Sequence, residues 1–213
     1  MDVAKKLLTL YKQLLKYFGH QKWWPTKTKK NKQFEIIIGA ILTQNTAWRN
    51  VEKAIDNLLE ENLIDPKKLA RIKKERLAKL IRPAGYYNQK AERLILAARF
   101  FMKNKSPTRK QLLAVKGIGP ETADSIMLYA FNKPYFVIDA YTRRILSRLG
   151  LIKGNESYAE LQNFFHKYLP QEQELFKEYH ALLVELAKQF CRKKPICASC
   201  PVKSLCKFCK RFI

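Results

Sequence analysis

Asp139 is the residue of this 213-residue chain best placed to do chemistry. It stands 20 positions after Gly119, where a Gly117-Ile118-Gly119 turn separates two helical patterns, and it opens a helical pattern of its own. An ionised carboxylate held there can stabilise a developing cation or orient and deprotonate water, although an aspartate before a helix is also an ordinary N-cap. A second reactive group lies in the tail, where Cys191-x5-Cys197-x2-Cys200-x5-Cys206 is followed after two more residues by Cys209. Four clustered thiolates can hold zinc or an iron-sulfur cluster, and spacing does not separate the two. Trp23 and Trp24, an adjacent pair ahead of Pro25, and Trp48 form a third group. They can be plugs in a core or a stacking wall for a base or a cation.

The elements that must position these groups read as helices. With 47% hydrophobic residues the chain has ample material for a core. Leu7, Leu8, Leu10, Tyr11, Leu14, Leu15 and Phe18 recur at helical spacing until Gly19 stops them. Phe34 to Leu42 is an apolar helical run ending in Thr43-Gln44-Asn45-Thr46, which also caps a helix from about Ala47 to Glu61. Asp65-Pro66 opens a short helix, another spans about Lys74 to Ile81, and Arg82-Pro83-Ala84-Gly85 breaks it. The Tyr86-Tyr87-Asn88-Gln89-Lys90 stretch leads into a long amphipathic helix through Phe101, and two more cover about Ser157 to Leu169 and Gln173 to Cys191. The short run Tyr135 to Ile138 is too isolated to make a sheet, so the expected class is all-α, with ten or eleven short helices.

Charge narrows the partner. Lys and Arg total 42 against 18 Asp and Glu, a net charge of +24. A lysine-rich thermophile surface raises Glu in step, and here Glu lags, which points to a polyanion such as nucleic acid. No stretch approaches the roughly 20 apolar residues of a membrane span, and the first helix is amphipathic, unlike a secretory leader. The expectation is a cytoplasmic, nucleoid-associated protein of prokaryotic type that acts as a monomer. All five cysteines fall between 191 and 209, which in a reducing compartment favours a metal site over disulfides.

The turn carries the sharpest motif. In Val115-Lys116-Gly117-Ile118-Gly119-Pro120-Glu121-Thr122-Ala123 two glycines can take positive φ while Ile118 anchors the turn inward. The exposed backbone N–H groups and the next helix start then face a phosphate. Flanked by helices, this is a helix-hairpin-helix signature. With the LTQNT run at 42–46, GYYNQKA at 85–91 and the terminal cysteines, it makes the chain resemble the helix-hairpin-helix (HhH-GPD) DNA glycosylase superfamily related to endonuclease III.

That resemblance covers nearly the whole chain and implies two helical lobes with a DNA-binding cleft between them. One is a six-helix barrel, residues 25–134; the other joins residues 1–24 to 135–213. It makes Asp139 the catalytic carboxylate, which supports an oxocarbenium-like sugar as an N-glycosidic bond breaks. Endonuclease III-type enzymes that also cut the strand carry a lysine two residues after the second hairpin glycine; here Glu121 stands there and cannot form a Schiff base. A monofunctional, water-using glycosylase without β-lyase activity is implied. The combination of WWP, LTQNT, RPAGYYNQKAERL and KGIGPETAD is similar to the 3-methyladenine DNA glycosylase III branch, which has glutamate at this hairpin position and an aromatic pocket, and which generally lacks the tail cysteines. Trp23, Trp24 and Trp48 are then expected to sandwich a flipped alkylated purine, with Glu121 attracting its positive charge. Gln44 matches an inserted glutamine and Tyr86 a wedge that fills the emptied stack. Lys90 and Lys116 are expected phosphate contacts beside Gly117 and Gly119. The resemblance decides the tail for a [4Fe-4S] cluster on Cys191, Cys197, Cys200 and Cys206, folding the loop so that Lys193, Lys194 and Lys203 face DNA. His180 is expected to be a packed residue at the interface between the lobes. The implied partner is double-stranded DNA with a damaged base. Thymine or uracil opposite guanine, or an oxidised base, are alternative substrates, and a damage-sensing binder without turnover is the alternative of another class.

Overall fold

A computed structural model describes residues 2–211, and all regular structure among them is helical. Met1, Phe212 and Ile213, which the expected lobes include, lie outside the described residues. The chain divides into two compact units: one runs from Trp24 to Asn132, and the other joins the residues up to Trp23 to those from Lys133 onward. None of the described helices is long and apolar enough to cross a membrane.

The continuous unit is built around α2 (Lys32–Leu42), in which every residue from Phe34 to Leu42 is buried. An element apolar on all sides must be surrounded. It packs against α3 (Trp48–Glu60), α6 (Tyr87–Lys103) and the wide helical turn Ile126–Ala130 that continues α8 (Pro120–Ser125). The one carboxylate on the buried run, Glu35, accepts hydrogen bonds at 2.8 Å from the N–H groups of Lys27 and Thr28, so it folds the loop before its own helix. Short α4 (Pro66–Leu69) starts at Asp65, whose carboxylate accepts from the Lys67 and Lys68 N–H groups. It packs with α5 (Lys74–Leu80) on α6. The hairpin is α7 (Arg109–Leu113) and α8; a Thr108/Gln111 capping box starts α7. Arg109 on α7 grips the fully buried Asp124 of α8 with two hydrogen bonds, 2.6 and 2.9 Å, which fixes the angle between the hairpin helices.

The discontinuous unit contains α1 (Val3–Phe18), α9 (Ala140–Leu149), α10 (Tyr158–Tyr168) and α11 (Gln173–Gln189). Leu7, Leu10 and Leu14 give α1 a fully buried stripe, and the Tyr179 hydroxyl of α11 donates to the Leu7 carbonyl at 2.8 Å. The run Tyr135 to Ile138 is extended and has no sister strand among the described residues, so its backbone needs partners from elsewhere. One face of α10 supplies them at positions i, i+4 and i+8. The Tyr158 hydroxyl accepts from Ile138 N–H (3.4 Å), Gln162 donates to the Phe136 carbonyl (2.9 Å), and His166 Nε2 accepts from Phe136 N–H (3.1 Å). Phe136 meanwhile stacks on Phe165 with ring centroids 3.7 Å apart. This side-chain ladder sets the rail that ends at Asp139.

Candidate active site

Asp139 is the N-cap of α9, and its Oδ1 accepts from the Thr142 N–H at 2.7 Å. Its Oδ2 lies 3.6 Å from Nε2 of His180 on α11, and the carboxylate side chain is only 16% exposed. Burial pushes this carboxyl up. Attraction to His180 and the Thr142 hydrogen bonds outweigh that effect, so the group sits below the usual aspartate range. The result is a shielded carboxylate that stays ionised in mild acid and whose two oxygens are both oriented. His180 belongs to the same unit as Asp139, is buried as expected of a packed residue, and faces the carboxylate. No local pattern announces this pairing, because the two residues lie 41 positions apart on different helices.

The hairpin turn needs glycine at one of its two positions. Gly117 has φ +89, and a Cβ there would meet the Arg93 side chain at 2.4 Å. Gly119 instead is an extended N-cap at φ −87 with open space around it, so the expectation of two positive-φ glycines is corrected to one. Ile118 between them is buried. Lys116 is exposed and pairs with Glu92 at 2.7 Å, and Glu121 is exposed in the first turn of α8.

Two expected DNA contacts stand differently from the sequence reading. Lys90 is not a surface phosphate contact: it is 1% exposed, and its Nζ donates to the Leu42 carbonyl (2.8 Å), the Thr46 hydroxyl (2.7 Å) and the Ala84 carbonyl (2.9 Å). Gln44 points into the hairpin, donating to the Gly117 carbonyl (3.0 Å) and the Thr122 hydroxyl (2.9 Å) while accepting from Arg93. The exposed tip of that turn is its neighbour Asn45, with φ +52. Tyr86 is 65% exposed and left-handed at φ +46, directly before α6.

The tryptophans do not make a three-walled sandwich. Trp24 meets Trp48 edge to face (5.3 Å, 86°) and Tyr129 at 5.2 Å, and its ring lies over Gly39, where a Cβ would come within 2.9 Å. Edge-to-face rings leave no slot between them. Trp23 belongs to the other unit, with the Lys188 ammonium 5.8 Å from its ring centroid. Tyr129, on the turn after α8, went unnoticed in the sequence and completes the aromatic cluster.

In the tail, Cys191, Cys197, Cys200, Cys206 and Cys209 all line one small apolar cavity with Ile145, Leu149 and Leu186. No three His, Cys, Asp or Glu side chains among the described residues converge tightly enough to hold a single ion. Burial pushes the Cys200 thiol up, and burial with hydrogen bonding to Cys197 and Cys206 does the same for Cys209, which places the fifth thiol against those two. Arg148 near the end of α9 closes the loop: its guanidinium donates to Cys191 Sγ (3.2 Å) and to the carbonyls of Arg192 (2.6 Å) and Lys193 (3.0 Å), and lies over the Phe208 ring. Lys193, Lys194 and Lys203 are exposed.

Comparison with known proteins now has a geometry to refer to. A protein of Methanocaldococcus jannaschii assigned as a DNA repair glycosylase is 48% identical over 210 residues, covering 92% of this chain and 94% of its own. Endonuclease III of Thermotoga maritima is 31% identical over 195 residues, 89% of this chain and 90% of its own. Among solved structures, the 3-methyladenine DNA glycosylase of H. pylori bound to 1,N6-ethenoadenine superposes with a TM-score of 0.74 at 36% identity, covering 88% of this chain and 96% of that one. Residues 38–171, which hold the hairpin, Trp48, Tyr129 and Asp139, match the family described as HhH-GPD superfamily base excision DNA repair protein, and the chain belongs to that superfamily.

Proposed function

We propose that this protein is a monofunctional DNA glycosylase that hydrolyses the N-glycosidic bond of alkylated purines such as 3-methyladenine in duplex DNA, without β-lyase activity. The observation that carries the reading is Asp139, an ionised carboxylate at the start of α9 with one oxygen bonded to the Thr142 N–H and the other facing His180 at 3.6 Å. As the bond to the base breaks, positive charge develops on the deoxyribose, and a shielded, fixed carboxylate stabilises it without reorganising. The same oxygens orient water for attack. An N3-alkylated adenine already carries positive charge and leaves readily, so the base site needs shape and stacking more than acid catalysis. Half-buried Trp24 and Trp48, with the buried Tyr129 packed against Trp24, offer aromatic surface for that purpose, each stacking contact contributing about 1–3 kcal/mol. Glu121 supports hydrolysis over elimination, since a carboxylate cannot form the imine on which strand cleavage depends.

The same reading gives the tail a [4Fe-4S] cluster on Cys191, Cys197, Cys200 and Cys206, with Cys209 as an adjacent fifth thiol. Five thiols on one apolar cavity form a donor set suited to iron. When bound, the group supplies covalent cross-links that hold the loop. Lys193, Lys194 and Lys203 on its outer side are then fixed for phosphate contact, as is Lys116 at the hairpin.

The test is release of free methylated base from methylated duplex DNA, with strand breaks only after alkali. Thymine opposite guanine and oxidised bases in the same panel decide the substrate; turnover of those with none on methylated DNA would move the reading to a mismatch or oxidised-base enzyme. Efficient borohydride trapping would overturn the hydrolytic mechanism, and binding without turnover of any substrate would make the protein a sensor. Visible charge-transfer absorbance lost on iron chelation tests the cluster.

A further inference from the structure

Four exposed residues of the continuous unit have positive φ without being glycine, Asn45, Asn62, Tyr86 and Asn132, and two of them stand on turns tied to one buried side chain: Asn45, at the tip of the turn between α2 and α3, and Tyr86, at the tip of the turn between α5 and α6. Such conformations persist only where the surroundings over-determine them, and they gather at functional sites. Here the surroundings meet at one atom. Lys90 Nζ reaches back from the first turns of α6 to the Leu42 carbonyl and Thr46 hydroxyl of the first turn and to the Ala84 carbonyl of the second. Thr46 completes the tie by donating its own hydroxyl proton to Ala84. Gln44 anchors the first turn from its other side, to Gly117 and Thr122 of the hairpin. Fully burying an ammonium is unfavourable and an apolar side chain would fill the space at less cost, so the clamp serves the placement of the turns more than the stability of the fold.

We propose that Lys90 is a positioning residue for base extrusion, fastening the Asn45 turn to the Tyr86 turn so that both exposed tips enter a damaged duplex as one unit at fixed spacing. The inference rests on the glycosylase reading above and assigns Lys90 a role unlike that of a phosphate contact.

Charge state makes the idea testable. Burial, with the neighbouring Arg93 charge as a lesser cause, lowers the Lys90 pKa to about 8. The end of α2 and the two turns face Nζ with carbonyls and the Thr46 hydroxyl, and Arg49 of α3 and Arg82 of the second turn are exposed. An ammonium donates all three bonds, whereas a neutral amine has two protons and must drop one. Raising pH through 8 therefore loosens the clamp. Its effect on global stability has the opposite sign: between about 8 and the ordinary lysine range near 10.5 the unfolded chain binds more protons, so this group's contribution to stability rises with pH. Loss of function by general unfolding and loss by unclamping thus move in different directions.

The experiment compares dissociation constants for a duplex bearing a tetrahydrofuran abasic analogue and for the undamaged duplex, with a 2-aminopurine reporter opposite the lesion, from about pH 7 to about pH 9.5. In the wild type the lesion preference should fall about tenfold across that range, as the ammonium fraction falls, while undamaged-duplex binding holds and the Lys90 contribution to the melting temperature does not fall. Lys90→Met should show the reduced preference already at pH 7 and no further change with pH; Tyr86→Ala should do the same. A wild-type preference independent of pH, or a pH dependence that survives in Lys90→Met, overturns the proposal and leaves the glycosylase reading standing. A wild type with no lesion preference at any pH overturns that reading, and this inference with it. Should Lys90→Met fail to fold, the wild-type titration against Tyr86→Ala still decides.

Discussion

Asp139 and Glu121 both stand at helix starts close to the hairpin in sequence, and the protein treats them in opposite ways. Asp139 caps α9 with its side chain 16% exposed, one oxygen on the Thr142 N–H and the other facing His180, and its pKa is held down. Glu121 sits in the first turn of α8, exposed, above a hairpin whose rigidity comes from elsewhere, the Arg109–Asp124 pair and the Gln44 bonds. A carboxylate that must face a short-lived cation gains from fixed orientation and exclusion of water. One that only tunes local potential needs neither. On the proposed glycosylase reading, the difference assigns reaction chemistry to the α9 start and recognition of the bound base to the α8 start.

The comparison can be broken in four places. The largest effect belongs to Asp139→Asn, which keeps a capping side chain but removes the charge: single-turnover base release should drop about 10²–10⁴-fold, with circular dichroism and duplex binding unchanged. A drop of less than tenfold would remove Asp139 from the centre of the reaction. Next is Arg109→Ala, which leaves a buried carboxylate without its main cationic partner. Denaturant unfolding should show a loss of about 3–5 kcal/mol, with the pH profile of base release unaltered. A shifted profile would mean that the hairpin controls the Asp139 end after all.

His180→Gln comes third, and its sign is fixed by the pKa. A depressed carboxylate pKa means that the ionised form, and the stability it lends, are present above the ordinary aspartate value and vanish as pH falls through the lower folded value. Wild-type base release should therefore be flat from about pH 7 to about pH 5 as far as Asp139 is concerned. Removing His180 should move the acid limb toward neutrality with a modest loss at pH 7; an unmoved limb would show that the imidazole only packs. The smallest effect is that of Glu121→Gln, about two- to fivefold on base release, the scale of a helix-end charge. A loss matching that of Asp139→Asn would erase the distinction between the two carboxylates.

Much of this arrangement was legible in the residues. The 3.6-residue spacing of Leu7, Leu10 and Leu14 and the capping signals at Asp65, Thr108 and Ser157 depend on local physics, and the all-helical class follows from them. Gly117 announced the tight turn, and Asp139 announced a helix start. What stayed hidden depends on convergence of distant segments. Lys90 reads as one more cation in a chain of net charge +24, because its burial is decided by acceptors at Leu42, Thr46 and Ala84, none of which looks unusual alone. Gln44 and Asn45 are adjacent amides, and only the turn's handedness says which faces inward. Trp23 and Trp24 are neighbours in sequence that fall into different units, which no composition could reveal.

Helix α9 has a consequence for the order in which the protein becomes competent. Asp139 caps its first turn, and near its far end Arg148 and Arg144 hold the Cys191 to Lys193 backbone while the Arg148 carbonyl accepts from Phe208 N–H. Ten residues of helix span about 15 Å, so the Asp139 carboxylate and the cysteine loop share one rigid rod. The loop follows Asp139 in synthesis by more than 50 residues. A nascent or damaged chain that has the hairpin and the carboxylate but not a settled tail thus lacks the anchor at one end of α9. Under the proposed function, final placement of the Asp139 carboxylate then waits on the tail.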